Sequence, residues 1–101
     1  MTYTEFLTSL KQAAPPAFLS PPLQALWWDQ QGAWEQAHEL ADIPGSSAAW
    51  VHAYLHRKEG DPSNAAYWYR RAGKPVSEAV LQREWEQIAL ALLAEHTDGA
   101  Y

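Results

Sequence analysis

Apolar positions along the chain recur at helical spacing, and each run is bounded by residues that start or stop helices. Thr2 and Glu5 have the spacing of a capping box, in which hydroxyl and carboxylate each serve a free backbone amide. Phe6, Leu7 and Leu10 continue as an apolar stripe that Pro15-Pro16 ends, so an N-terminal helix is predicted within residues 1–14. Pro21-Pro22 suits a helix start, because the missing N–H would be unpaired there anyway. Leu23, Leu26, Trp27 and Gln30 then share one face of a second helix that should end near Gly32. Trp34, Ala37, His38 and Ala41 repeat at i, i+3, i+4, i+7 and give a third. The turn from Ile43 to Ser47 precedes a fourth stripe of Ala48, Val51, His52 and Leu55, with Ser46 or Ser47 placed to cap it and Gly60 to close it. Asp61-Pro62 supplies both a cap and a first-turn proline. Ala65, Trp68, Tyr69 and Ala72 follow, with Gly73 as a left-handed stop. Leu81, Trp85, Ile88 and Leu92 form the ladder of a last helix within residues 76–96, and residues 97–101 read as a tail. No stretch alternates with a period of two. The expected fold is all-α with about six helices, in a single domain spanning residues 1–101.

The middle of the chain matches itself when shifted by 28 residues. Leu23 meets Val51, Ala25 meets Ala53, Leu26 meets Tyr54 and Trp27 meets Leu55, while Gly32 meets Gly60 and Ala37 meets Ala65. Each half reads helix, glycine, helix, with alanines where two antiparallel helices would cross closely. The second half is the fuller version: Ala53, then Gly60-Asp61, then Ala65, Tyr69 and Ala72. In the first, Ala25, Trp28, Gly32 and Ala37 agree, but Ala41 and Pro44 replace the later aromatic and alanine, and Ala49 and Pro21 stand at the early tryptophan position. Over roughly residues 21–75 this pattern resembles the tetratricopeptide-like helical hairpin. The string from Trp50 to Arg57 is also similar to small uncharacterised bacterial proteins. The resemblance implies two stacked antiparallel hairpins, with the N- and C-terminal helices covering the ends as caps do in solenoids. It also implies capture of a protein segment in a groove lined by the first helix of each pair.

Composition narrows the function classes. The 101 residues suffice for one core, and mass scaling predicts roughly 5,800 Å² of folded surface. With no cysteine, disulfides and thiolate metal sites are excluded. A net charge of −5 argues against a general nucleic-acid binder. No apolar run approaches the roughly 18 residues of a membrane span, and the polar N-terminus is unlike a signal peptide, so a cytoplasmic protein is expected. Six tryptophans and five tyrosines fit either a core of few large side chains or an interface.

Charge is unevenly placed. Residues 1–49 and 75–101 each carry a net −4, whereas residues 50–74 carry +3 and hold Trp50, Tyr54, Tyr67, Trp68 and Tyr69. A basic stretch interleaved with rings could take an acidic peptide through arginine forks and stacked faces. Together with the repeat, this points to a non-catalytic interaction module whose contact residues are Trp50, Tyr54, Arg57, Tyr67 and Arg71. The plainer alternative is that Arg57-Lys58, Arg70-Arg71 and Lys74 merely sit at helix C-termini, where the dipole favours cations.

Histidine supplies the other candidate. His52 and His56 lie one turn apart on the fourth helix, Glu59 continues that face, and His38 sits on the stripe of the third helix. The three rings could share a metal ion or line a small-ligand pocket beside Tyr54 and Tyr69; neutral core histidines are the structural alternative. Ala53 occupies the position where a helical zinc protease needs glutamate. No nucleophile constellation or phosphate-cradling loop occurs, and no motif implies a cofactor, so the sequence leans away from an enzyme. The Leu81–Trp85–Ile88–Leu92 ladder could alternatively serve a homodimer seam.

Overall fold

In the computed structural model, which describes residues 1–98, the Thr2 hydroxyl accepts from the Glu5 amide at 3.1 Å and the Thr2 amide donates to the Glu5 carboxylate at 2.8 Å. This reciprocal pair opens α1 (Tyr3–Ser9), followed by α2 (Pro21–Gln30), α3 (Trp34–Ala41), α4 (Ser46–Glu59), α5 (Pro62–Ala72) and α6 (Leu81–Asp98). Among the described residues the fold is all-α. Its surface of 5774 Å² agrees with the mass scaling.

α1 ends well before the prolines, where the chain tightens into i→i+3 bonds from the Leu10, Lys11 and Gln12 amides. The buried Ser9 hydroxyl bonds the Phe6 carbonyl at 2.6 Å, and the Ser9 carbonyl accepts the Trp27 indole N–H at 3.1 Å. α4 has no side-chain cap: Gly45 is the N-cap, and Ser47 Oγ bonds the Glu95 carboxylate at 3.0 Å instead. Thr97 and Asp98, expected in the tail, belong to α6; the rest of that tail, residues 99–101, lies outside the described residues.

α2 packs on α3, and α4 on α5, as two helical hairpins. Their turns repeat atom for atom at the 28-residue offset. Ala33 N–H reaches Trp28 O at 3.1 Å across Gly32, and Asp61 N–H reaches His56 O at 2.9 Å across Gly60. Both glycines have positive φ, 80° and 91°, which closes the helix in the left-handed conformation. Ala25 and Ala53, and likewise Ala37 and Ala65, are buried where the helices cross.

α6 lies against both α2 and α4, the first helix of each hairpin, and α1 packs on α6. That is the wall the resemblance assigns to a captured segment, and here the chain's own last helix occupies it. Trp85, Ile88, Ala89 and Leu92 fill the seam, and Phe6 of α1 stacks on Trp85 at 5.8 Å between centroids. The ladder considered for a homodimer is therefore interior to one chain, with Trp85 and Ile88 wholly buried.

Tryptophan N–H groups tie the layers together. Trp27 donates from α2 to the end of α1, Trp34 from α3 to Leu55 O of α4 at 2.9 Å, and Trp85 from α6 to Leu26 O of α2 at 3.0 Å. Each ring buries a large apolar area while its N–H finds an acceptor on the second lone pair of a backbone carbonyl. This accounts for much of the aromatic excess without invoking an interface.

Candidate functional site

α4 is the central helix, and it presents two chemically different faces. Tyr54, Arg57 and Lys58 point toward two buried carboxylates. Asp29 of α2 accepts from the Tyr54 hydroxyl and from Lys58 Nζ, each at 2.9 Å. Glu84 of α6 accepts from Arg57 Nη1 at 2.8 Å and from the Tyr69 hydroxyl, while Arg57 Nη2 bonds the Ala79 carbonyl. Burial pushes both phenols well above their ordinary range, and the adjoining carboxylates, Asp29 for Tyr54 and Glu84 for Tyr69, add to the effect. Each acid has a tyrosine and a cation, so the network is satisfied. It is an internal clamp between hairpins and α6.

The opposite face carries His52 and His56. α3 brings His38 against them, with ring centroids 4.6 Å from His52 and 5.1 Å from His56, while His52 and His56 are 4.8 Å apart. One potential ligand nitrogen from each ring lies within 4.8 Å of those from the other two. Two indoles bracket the cluster: Trp34 stacks on His38 at 4.9 Å, and Trp68 of α5 stacks on His52 at 3.8 Å. His52 and His56 are buried and His38 is half-buried.

The partners of these rings set their proton positions. His56 Nδ1 lies 2.8 Å from the Glu59 carboxylate, so that nitrogen carries a hydrogen. His52 Nδ1 is buried without a hydrogen-bond partner among the described residues. His38 Nε2 is likewise buried without a hydrogen-bond partner among the described residues. Burial, with His38 and His56 close by, lowers the His52 pKa to about 4 against the opposing pull of Asp42 and the Ala41 carbonyl. His52 is therefore neutral at physiological pH.

The five residues expected to line a groove are dispersed. Tyr54 is buried on Asp29, and Arg57 is pinned by Glu84, so neither is presented as a surface anchor. Trp50 is half-buried beneath Lys74, whose Nζ sits 4.4 Å from the ring centroid. Tyr67 and Arg71 are exposed on α5, joined by a 3.3 Å hydrogen bond. The three histidines do come together, but Tyr54 and Tyr69 hold Asp29 and Glu84 rather than sharing their pocket. Sequence reasoning passed over Asp29, Lys58 and Glu84 as functional parts of the interior. It also did not bring Trp34 to His38, although their i, i+4 spacing on one helix carries that signal.

No protein-family model matches this chain, and neither curated proteins nor solved structures yield a match.

Proposed function

We propose that the chain binds a first-row transition-metal ion through His38, His52 and His56. The observation that carries this reading is the pair of buried ring nitrogens without a hydrogen-bond partner, His38 Nε2 and His52 Nδ1, inside a three-histidine group. A buried polar atom left unpaired costs about 1–3 kcal/mol. Two of them side by side are poorly explained by packing alone, whereas a metal ion uses both lone pairs. Neutral imidazoles suit zinc, nickel, copper and iron, and the lowered His52 pKa keeps that ligand unprotonated. Glu59 on His56 Nδ1 is the kind of outer carboxylate that orients a ligating histidine.

Tetrahedral zinc with bonds of about 2.0–2.1 Å sets ligand nitrogens roughly 3.3 Å apart. The separations of up to 4.8 Å must therefore contract on binding, and His38, the least buried ring, has the most room to move. The test is thermal unfolding with and without Zn²⁺, Ni²⁺ or Co²⁺. A metal at one hundred times its Kd stabilises by about 2.7 kcal/mol, which raises Tm by several degrees in a domain of this size. His52→Gln should lose the shift. Asp61→Ser should keep it, since serine still caps α5 and Asp61 belongs to a separate His56–Glu59–Asp61 group. An unmoved wild-type Tm across all three metals contradicts the reading.

A second reading keeps the capture of an acidic peptide, now outside the groove. Its support is the positive charge left over. Arg57, Lys58 and Arg83 face carboxylates, whereas Arg70, Arg71 and Lys74 face none among the described residues. Arg71 lies over the Trp68 and Tyr67 rings at 5.4 and 5.7 Å, and with Trp68 it lines a cavity of about 650 Å³. Such a ridge of ring-supported cations suits clustered carboxylates.

A further inference from the structure

Resting on the metal reading, we infer that the His38–His52–His56 centre leaves one coordination position open to an exogenous small ligand: water, hydroxide or a monodentate anion. The inference comes from accounting for the protein donors described around the three rings. Among the described side chains, which run to Glu95, no further histidine, aspartate or glutamate joins this group, and the chain has no cysteine. Glu59 is committed to His56 Nδ1 at 2.8 Å. Asp61 caps α5 through the Asn64 amide at 3.2 Å, and its other possible ligand partners are His56 and Glu59, not His38 or His52. Asp42 influences His52 through space but stands outside the set of donors within 4.8 Å.

The two flanks of the cluster are taken by Trp34 and Trp68. Indole has no lone pair to give a metal, and the Trp34 N–H is already bonded to Leu55 O at 2.9 Å. Tyr54 and Tyr69, considered from the sequence as neighbours of the histidines, are held by Asp29 and Glu84. Structural zinc sites are closed by four protein ligands, whereas three ligands and a vacant place characterise sites that receive water or substrate. His38 is the half-buried member of the three, so α3 is the side on which the cluster lies nearest the surface.

The experiment loads the full chain with Co²⁺ and follows its visible ligand-field bands while sodium azide is added. An open position predicts a saturable change in the bands, with one azide per cobalt, and competition between azide and hydroxide as pH rises. Bands that stay unchanged at full cobalt occupancy would mean that a protein group fills the fourth place, overturning the inference while leaving the metal reading intact. If cobalt does not bind at all, the metal reading falls and takes this inference with it. Asp61→Ser provides a further check: an open site gives the same azide response in this variant as in the native chain, whereas a response that appears only once Asp61 is removed assigns the fourth position to Asp61 and overturns the inference.

Discussion

His52 and Trp68 lie face to face, with ring centroids 3.8 Å apart and planes inclined by 13°. This single stack joins α5 to α4 and covers the imidazole from one side. Burial is the largest cause of the lowered His52 pKa, so removing the cover should restore much of its basicity. Trp68→Ala is expected to move the His52 titration from about 4 up toward its ordinary value of 6.5. Proton NMR of the histidine Cε1–H signals measures this directly. A midpoint that does not move would show that Trp68 is not what keeps the ring neutral.

The same pKa makes stability depend on pH in a definite direction. Between about 4 and 6.5 the unfolded chain protonates His52 and the folded chain does not, so stability falls as pH drops through that window. The full difference corresponds to at most about 3 kcal/mol, reached below pH 4, and above 6.5 His52 contributes no slope. Urea unfolding of wild type and His52→Gln at several pH values isolates the effect. The variant should show a shallower loss between pH 6.5 and 4, and parallel curves would contradict the assignment.

Arg57 should behave as a structural residue. Its guanidinium answers Glu84, whose side chain is 2% exposed, and removing one partner of a buried pair typically costs 3–5 kcal/mol. Because Arg57 is itself 22% exposed, Arg57→Ala is expected to destabilise the fold by about 2–3 kcal/mol. Denaturant unfolding measures it. A change below about 0.5 kcal/mol would show that Tyr69 alone satisfies Glu84.

Several helix boundaries were legible because their causes are local, whereas the end of α1, the cap of α4 and the extent of α6 were not. Thr2 with Glu5, Pro21, Gly60 with Asp61 and Pro62, and Gly73 act within a few residues, and the structure uses each of them. Asp29 and Glu84 were not legible. Acids on amphipathic helices are nearly always solvated, and what buries these two is chemistry brought from other helices: Tyr54 and Lys58 in one case, Tyr69 and Arg57 in the other. The same fact explains why Tyr54 and Arg57, which read as surface anchors in a basic segment, face inward. At the candidate site, the one-turn spacing of His52 and His56 could be read from the chain, whereas Trp68 arrives only through the packing of α5 on α4.

Basic charge on α5 offers a separate test. If Arg71 and Lys74 hold an acidic partner, a fluorescein-labelled glutamate-rich peptide should bind the full chain with strong salt dependence. The Arg71→Ala, Lys74→Ala double variant should bind it about tenfold more weakly without losing helical content. Binding that is absent, or equal in the variant, removes this second reading.

The claim on which the account turns is that three imidazoles hold one ion together. Long-range proton–nitrogen NMR spectra of the histidine rings, recorded while Zn²⁺ is titrated in, address it most directly. The account predicts that ring nitrogens of His38, His52 and His56 shift in concert and saturate at one zinc per chain. Signals that stay in place, or that move independently and only at large excess of metal, would contradict it.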